Sequence, residues 1–306
     1  MNKIFLVFFI ILAFYAVFVG YSDFNKVSEN ISNFKFEFLP IILLLAFTAF
    51  FITGVRQRLL LENIDVHISF KENILLFFSG LSMIITPAGA GQLIKSYYLK
   101  KKYGIKQAKT FPLVFVERFL DVMAIISIIF FLSVYTQVNE IIIMALIFGI
   151  LIIFVYVTLR NKFLFNKLLS LLKKLPFLSK FSSSLSESYT GFHDMTSGKT
   201  IVISWIISIF AFSLDALATY LVFIAFNVDL GLAFSVLSVY SSILYGALSL
   251  IPGGVGLTEL NVVRFLSDAG VETSLSTSII IMIRISTIWF ATAIGFVCTK
   301  LFLKKI

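Results

Sequence analysis

Charged side chains inside apolar segments are the residues of this sequence whose types and spacing could do chemistry. The segment Phe111–Tyr135 carries Glu117, Arg118 and Asp121. Glu117 and Asp121 are four residues apart and share one face of a helix, and Arg118 and Asp121 are close enough for an ion pair within the helix. In a bilayer each such charge costs at least about 2.5–3.5 kcal/mol, so it needs a partner or a wet cavity. Two interpretations stay open for Arg118, a structural ion pair and a site for an anionic group.

Two proline–glycine clusters follow apolar segments that differ from ordinary spans. The segments are Ile74–Thr86 and Ala233–Ile251, and the first is too short to cross a hydrocarbon layer of about 30 Å. Broken helices of this kind re-enter a membrane rather than cross it. The backbone N–H groups of each following half-helix favour an anion such as a phosphate, although either cluster alone indicates only a helix break. The clusters are Pro87-Ala88-Gly89-Ala90-Gly91 and Pro252-Gly253-Gly254-Val255-Gly256.

The two clusters belong to an internal repeat. The polar residues of 63–70 match those of 227–234 at an offset of 164, the clusters match at 165, and Arg118 matches Arg284 at 166. Chance matching of apolar residues is easy in such a chain, but ordered matching of Asn, Asp, Pro, Gly and Arg is not. We therefore predict a single membrane domain made of two repeats, residues 1–138 and 139–306.

Composition places the chain in a membrane. Of its 306 residues 59% are hydrophobic and 13% charged, with a mean hydropathy of +1.01, and a soluble fold of this size could not bury so much apolar surface. The net charge of +9 does not indicate nucleic acid, because most basic residues lie between apolar segments. We predict an all-α polytopic membrane protein with an inverted repeat, six full spans and two re-entrant helical hairpins, alternatively counted as eight transmembrane helices. The predicted spans are Ile4–Gly20, Phe38–Val55, Phe111–Tyr135, Ile141–Leu159, Ile201–Phe226 and Ser276–Thr299.

Loop charges predict the orientation. Lys and Arg are dense in Arg56–Lys71, in Lys95–Lys109, in 160–199 and at the C-terminal end, and absent from the connections 136–140 and 227–231. The positive-inside rule then places both termini and the basic loops in the cytoplasm, in the plasma or inner membrane of the cell. Three spans and one hairpin per half invert the second copy, as in many transporters. Within 160–199 the segment Lys162–Leu175 is predicted to be an amphipathic surface helix that ends at Pro176.

Three further charged residues lie at or near membrane depth. Asp215 has no counterpart in the first repeat, and it either pairs with an arginine or carries a proton. Glu259 follows the second cluster and is expected to cap its helix, with Arg284 or Arg264 as alternative partners. Arg118 and Arg284 together form a hypothetical pair of cationic gates, each receiving a lipid phosphate from one leaflet.

Several motifs resemble the membrane region of lysylphosphatidylglycerol synthase/flippase proteins and their short relatives, a flippase-like domain. These motifs are TPAGAGQLIKSYYLK (Thr86–Lys100), VERFLD (Val116–Asp121) and IPGGVGLTE (Ile251–Glu259), followed by Arg284. The resemblance covers nearly the whole chain and implies movement of a lipid or lipid-linked molecule between leaflets. Relatives often read P-G-R-x-G-E in the first motif, where this chain has Ala88, Gly89 and Gln92 in place of Gly, Arg and Glu, which leaves the substrate open. We expect the short form, without the soluble aminoacyl-transferase domain.

A lipid flippase is the expected function, and two alternatives stay open. One is a lipid-modifying enzyme, for which no catalytic constellation, metal site or cofactor is predicted. The other is a partner or scaffold in a lipid-modifying or glycolipid pathway, with a glycosyltransferase or aminoacyl-transferase as the candidate partner. The expected ligand is a membrane lipid or lipid-linked substrate, not nucleic acid. The predicted substrate-binding residues are Pro87, Gly89, Gly91, Gln92, Lys95, Glu117, Arg118, Asp121, Asp215, Pro252, Gly253, Gly254, Gly256, Glu259 and Arg284.

Overall fold

A computed structural model describes residues 14–15, 17–172, 188–249 and 251–303. This part of the chain is built from helices and their connections, without a strand, and five of its helices are long and apolar enough to cross a membrane. The predicted all-α polytopic membrane protein is therefore confirmed. The predicted span Ile4–Gly20 lies mostly outside the described residues, and its described residues, 14–15 and 17–20, are helical. The five spans are Phe36–Glu62, Gln107–Thr136, Asn139–Arg160, Gly198–Ala225 and Thr273–Phe302.

The helices are numbered here in chain order. The first part of the chain contains α1 (Phe24–Ser32), α2 (Leu39–Glu62), α3 (Phe70–Leu81), α4 (Ile94–Tyr103), α5 (Gln107–Thr110) and α6 (Pro112–Thr136). The second part contains α7 (Asn139–Arg160), α8 (Lys162–Leu172), α9 (Tyr189–Met195), α10 (Gly198–Ala225), α11 (Leu232–Leu248), α12 (Leu257–Asp268), α13 (Thr273–Arg284) and α14 (Phe290–Leu303). A π-helical segment, Ile285–Trp289, joins α13 to α14.

Each proline–glycine cluster forms the turn of a helical hairpin. The first hairpin consists of α3, a 3₁₀ turn over Pro87–Leu93, and α4, and the second consists of α11, a 3₁₀ turn over Pro252–Gly254, and α12. The residue before each proline is extended, because proline excludes the helical conformation from the residue that precedes it. Gly89 and Gly254, which match at an offset of 165, both have φ of 66° and thus the left-handed conformation that glycine adopts readily.

The two hairpin turns lie against one another and against the long helices. A Cβ atom built at Gly253 would lie 3.4 Å from Ile85 Cγ1, which places the second turn directly beside the first. Helix α14 packs so closely on the end of α3 that any side chain at Gly295 would collide with the backbone of Ser82. Helix α2 packs along α10 and also contacts α3. The first hairpin is therefore enclosed by helices from both halves of the chain.

The outer surface is apolar where lipid would lie. Along α7, large apolar side chains such as Ile147, Ile150 and Phe154 are exposed, as expected of a span that faces hydrocarbon. Helix α8 covers Lys162–Leu172 of the predicted amphipathic surface helix, and 173–175 and Pro176 lie outside the described residues. One face of α8 packs on α9 through Phe165, and Leu168 on another face is exposed.

Two basic residues do not lie in exposed loops as predicted. The charge pattern places Arg56 in the loop Arg56–Lys71 and Lys95, which is also a predicted substrate-binding residue, in the loop Lys95–Lys109, but both residues are fully buried. The assignment of these two residues is wrong because α2 continues to Glu62 and α4 begins inside the protein.

Candidate functional site

Lys95 enters the protein interior from the first turn of α4. A Cβ at Gly80 would lie 2.8 Å from Lys95 Cδ, so the glycine in α3 makes room for the aliphatic part of the lysine. Lys95 Nζ contacts the Glu117 carboxylate on α6, and it donates a hydrogen bond of 3.0 Å to Gln57 Oε1 on α2. Both partners of the ion pair are fully buried, which requires such close pairing because an isolated buried charge is costly.

The neutral side chain of Asn73 orients Gln57, whose Oε1 accepts the hydrogen bond from Lys95. Gln57 Nε2 donates to Asn73 Oδ1 at 3.0 Å, and Asn73 Nδ2 donates to the carbonyl oxygen of Gly54 at 2.8 Å. These bonds leave Gln57 Oε1 directed at Lys95. The first hairpin is thereby joined to α2 through α3 as well as to α6 through α4.

Asp121 lies between two arginines. Its Oδ1 accepts from Arg56 Nη1 at 2.7 Å, and its Oδ2 lies 2.8 Å from Arg118 Nη2 in an ion pair. Arg56 Nη1 also donates to Ser208 Oγ on α10 at 2.6 Å. The Arg56 side chain is 0% exposed whereas that of Arg118 is 32% exposed, so Arg118 is the accessible cation of this group. The predicted ion pair of Arg118 and Asp121 is present, but Asp121 does not belong to Arg118 alone.

Gln92 presents unused hydrogen-bonding groups beside Arg118. The residue is fully buried, and neither amide atom has a hydrogen-bond partner in the part of the chain that the structure describes. A Cβ at Gly89 would lie 3.5 Å from Gln92 Nε2 and 3.6 Å from Arg118 Cδ, so these residues converge at the first turn. Arg118 Nε and Glu117 Oε1 also lack such partners. Buried polar atoms left unpaired cost about 1–3 kcal/mol each, so a polar ligand would bind favourably here.

The second hairpin carries its own ion pair. Glu259 Oε1 accepts from Arg284 Nε at 2.8 Å and from the Tyr15 hydroxyl at 2.9 Å, and Glu259 Oε2 accepts from the Gly256 N–H at 2.7 Å. The expected cap at the start of α12 is thus present, and Arg284 rather than Arg264 is the ionic partner. The turn of the first hairpin differs, because there the neutral Thr86 hydroxyl accepts from the Gly91 N–H at 2.7 Å.

Asp215 lies apart from both ion-pair groups. It accepts a hydrogen bond of 3.0 Å from Tyr240 on α11, and that hydroxyl also donates to the Phe212 carbonyl oxygen at 2.7 Å. Its described partner is thus a tyrosine and not an arginine, and a role in proton transfer stays a prediction.

The structure brings most of the predicted residues to the two turns. At the first turn, Gly89 and Gln92 lie beside Arg118, Lys95 contacts Glu117, and Gly91 packs on Thr86. At the second turn, Gly256 donates to Glu259, which also pairs with Arg284. Pro87 and Pro252 open the two 3₁₀ turns. Sequence reasoning missed other contributors to this site. The sequence carries little sign of these residues. The apolar Leu59–Leu61 after Arg56 indicates that the helix continues past Arg56, but no neighbouring residue identifies what Arg56 contacts. The missed residues are Tyr15, Arg56, Gln57, Asn73 and Ser208.

Comparison with known proteins assigns the family. A family model described as the lysylphosphatidylglycerol synthase TM region matches residues 4–295. The chain belongs to this family. It is 26% identical over 285 residues to the UPF0104 membrane protein PH1989 of Pyrococcus horikoshii, covering 85% of each chain. It is also 24% identical over 311 residues to the UPF0104 membrane protein MJ1595 of Methanocaldococcus jannaschii, covering 94% of this chain and 91% of that relative. The protein is therefore a multi-pass membrane protein of this family.

Proposed function

We propose that this protein is a flippase-like transporter that moves a lipid or lipid-linked head group between membrane leaflets, with the head-group phosphate bound at the first hairpin turn. The observation that carries the proposal is the buried Gln92 amide, unpartnered among the described residues, beside the part-exposed guanidinium of Arg118. Inside a bilayer such groups are costly unless they serve a ligand, and polar or ionisable residues there mark substrate pathways.

The chemistry at this turn suits a phosphate oxygen. Arg118 offers a planar fork of N–H donors that matches phosphate geometry, and one of them, Nε, is unused among the described groups. Gln92 adds an amide donor, and Gly89 lets a ligand approach the backbone because it has no side chain. The apolar outer surface leaves the hydrocarbon chains of such a ligand in lipid while its head group is held by protein.

The proposed orientation places both termini and the basic loops in the cytoplasm of the plasma or inner membrane. In a Cys298→Ser background, single cysteines at Asn139 and Asn227 are expected to react with an impermeant reagent added to intact cells. A cysteine at Ser170 on α8 is expected to react only after permeabilisation. Labelling of Ser170 in intact cells would overturn this orientation.

Translocation in reconstituted vesicles tests the function. We expect the wild-type protein to move a fluorescent phospholipid between leaflets, Arg118→Ala to lower the rate at least about tenfold, and Arg118→Lys to recover only part of it. Lys100→Ala, on the exposed side of α4, is the matched control and should keep the wild-type rate. Thermal unfolding of each preparation should show that Arg118→Ala is folded, because Asp121 retains Arg56 as a partner. A folded Arg118→Ala variant with the wild-type rate would disprove the proposed site.

A further inference from the structure

The charges around the first turn do not cancel. Arg56, Lys95 and Arg118 bring three positive charges, and Glu117 and Asp121 bring two negative charges. The five side chains form one group, because Glu117 and Asp121 lie one helical turn apart on α6, and Arg56 donates both to Asp121 Oδ1 at 2.7 Å and to the carbonyl oxygen of Glu117 at 3.5 Å. One positive charge is left over.

This excess does not depend on where the proton of the buried ion pair lies. Lys95 and Glu117 add up to zero charge when both are ionised, and they also add up to zero when the proton sits on the carboxylate. The Arg56 guanidinium stays charged and accounts for the charge of Asp121. The uncompensated charge is therefore that of Arg118, the part-exposed member of the group.

The second hairpin adds no net charge. Its Arg284 is paired with Glu259, and the third member of that group, Tyr15, contributes a hydroxyl hydrogen. Glu259 also accepts from the N–H group of Gly256 at the start of α12, where an anion would otherwise be favoured. The second turn thus holds an anion of the protein itself, and the first turn does not.

We infer that the first turn selects a head group whose phosphate carries a single negative charge, a phosphodiester, over one that carries a diphosphate. This inference rests on the proposed function and names its substrate class. In a site surrounded by lipid, a monoanion brings the total charge to zero, whereas each further negative charge would remain unpaired in a low-dielectric environment. Arg118 and the Gln92 amide can surround one tetrahedral phosphate, while the other two cations of the group, Arg56 and Lys95, are fully buried against carboxylates.

Two measurements with matched lipids test the inference. The probes share one hydrocarbon tail and carry a phosphodiester with an uncharged head group, a diphosphate, or an uncharged glycerol. Binding to the detergent-solubilised protein and translocation in vesicles are measured for each probe. The wild-type protein should prefer the phosphodiester over the diphosphate by at least about tenfold in affinity, which corresponds to about 1.4 kcal/mol. Equal affinity for the two, or preference for the diphosphate, would overturn the inference.

Variants that change the total charge make the test specific. Glu117→Gln and Asp121→Asn each raise the excess from one to two positive charges, and either should shift the preference toward the diphosphate about tenfold or more. The double change Lys95→Met/Glu117→Gln restores a single positive charge and should restore the wild-type preference. If the double variant keeps the preference of Glu117→Gln, charge does not select the ligand. Asp121→Asn keeps the test decisive should Glu117→Gln fail to fold.

The two readouts separate the inference from the proposed function. Selective phosphodiester binding without translocation by the wild-type protein would refute transport and leave the ligand class standing. Translocation of both phosphate probes at equal rates and affinities would support transport and refute the ligand class. Failure to bind any phosphate probe would refute both.

Discussion

Each of the two helical hairpins carries one buried charged residue that pairs with an opposite charge on the following span, but the charge on the first hairpin is positive and that on the second is negative. In the first, the cation Lys95 lies on the hairpin helix α4 and its partner Glu117 on the following span. In the second, the anion Glu259 lies on the hairpin helix α12 and its partner Arg284 on the following helix. Each pair joins a hairpin to the next span along the chain, and the positions of cation and anion are exchanged between the two hairpins.

The charged residues of the two hairpins do not stand at matching positions of the repeat but one position apart. At an offset of 165 the position matching Lys95 is Leu260, and the position matching Glu259 is Ile94. Arg118 and Arg284 match each other at 166, yet only Arg284 has a carboxylate on its own hairpin. Arg118 and Arg284 are unequal in their surroundings: Arg284 is 7% exposed and has Glu259 as its partner, whereas Arg118 is 32% exposed and shares Asp121 with Arg56. The hypothesis of two equivalent gates stays a prediction, and our proposal differs from it in placing the ligand at the first turn alone.

Breaking the ion pair of the first hairpin should have the largest effect on stability. Lys95→Met leaves Glu117 buried without its cation and should lower the free energy of unfolding by about 3–5 kcal/mol. Adding Glu117→Gln should recover most of that loss, because no unpaired charge remains. Thermal unfolding in detergent measures both, with the exposed Lys100→Met as control. A single variant as stable as the wild type would show that the pair is not needed.

Neutralising the anion of the second hairpin should have a smaller effect. In Glu259→Gln the amide oxygen still accepts from the Gly256 N–H, so we expect a loss of about 1–3 kcal/mol. The same change frees Arg284 and should create a second binding site for an anionic lipid, seen as a doubled binding stoichiometry. Unchanged stoichiometry in a folded variant would contradict the view that Glu259 occupies an anion site.

The residues that sequence patterns could identify are those whose signal is local. Hydropathy predicted the spans, segment length with proline and glycine predicted the hairpins, and the repeat predicted the match of Arg118 with Arg284. The partners of Arg56 and Lys95 had no local signal, because Asp121 and Glu117 lie 65 and 22 residues away from them. A lysine followed by further basic residues is indistinguishable from a loop lysine until the fold brings a carboxylate to it.

The hydroxyl of Tyr15 should contribute less than either ion pair. Tyr15→Phe removes one hydrogen bond to Glu259 while Arg284 and Gly256 continue to satisfy that carboxylate, so we expect a loss of about 0.5–1.5 kcal/mol. Unfolding of Tyr15→Phe beside the wild type measures it, and Tyr21→Phe, at an exposed position, is the control. A loss as large as that of Lys95→Met would mean that Tyr15 holds the second hairpin in place.

The smallest expected effect lies at the start of α3, outside the five spans. A hydrogen bond of 2.8 Å from Lys102 is the main cause that lowers the pKa of Glu72 from its ordinary 4.5 to about 2. Because the folded-state pKa is depressed, the stabilisation is present above about pH 4.5 and is lost as the pH falls toward 2. Glu72→Gln should therefore lower stability by at most about 1 kcal/mol at pH 7 and by less near pH 3. A difference from the wild type that grows on acidification would contradict this sign.

Binding of a fluorescent phosphodiester lipid to the solubilised protein tests the inequality of the two hairpins most directly. The variants to compare are Arg118→Ala and the charge-neutral double change Glu259→Gln/Arg284→Met, with unfolding measured on the same samples. We expect Arg118→Ala to weaken binding at least about tenfold, and the double variant to bind within about twofold of the wild type, since it removes a pair without net charge. Equal losses in both folded variants, or a loss only in the double variant, would contradict the account.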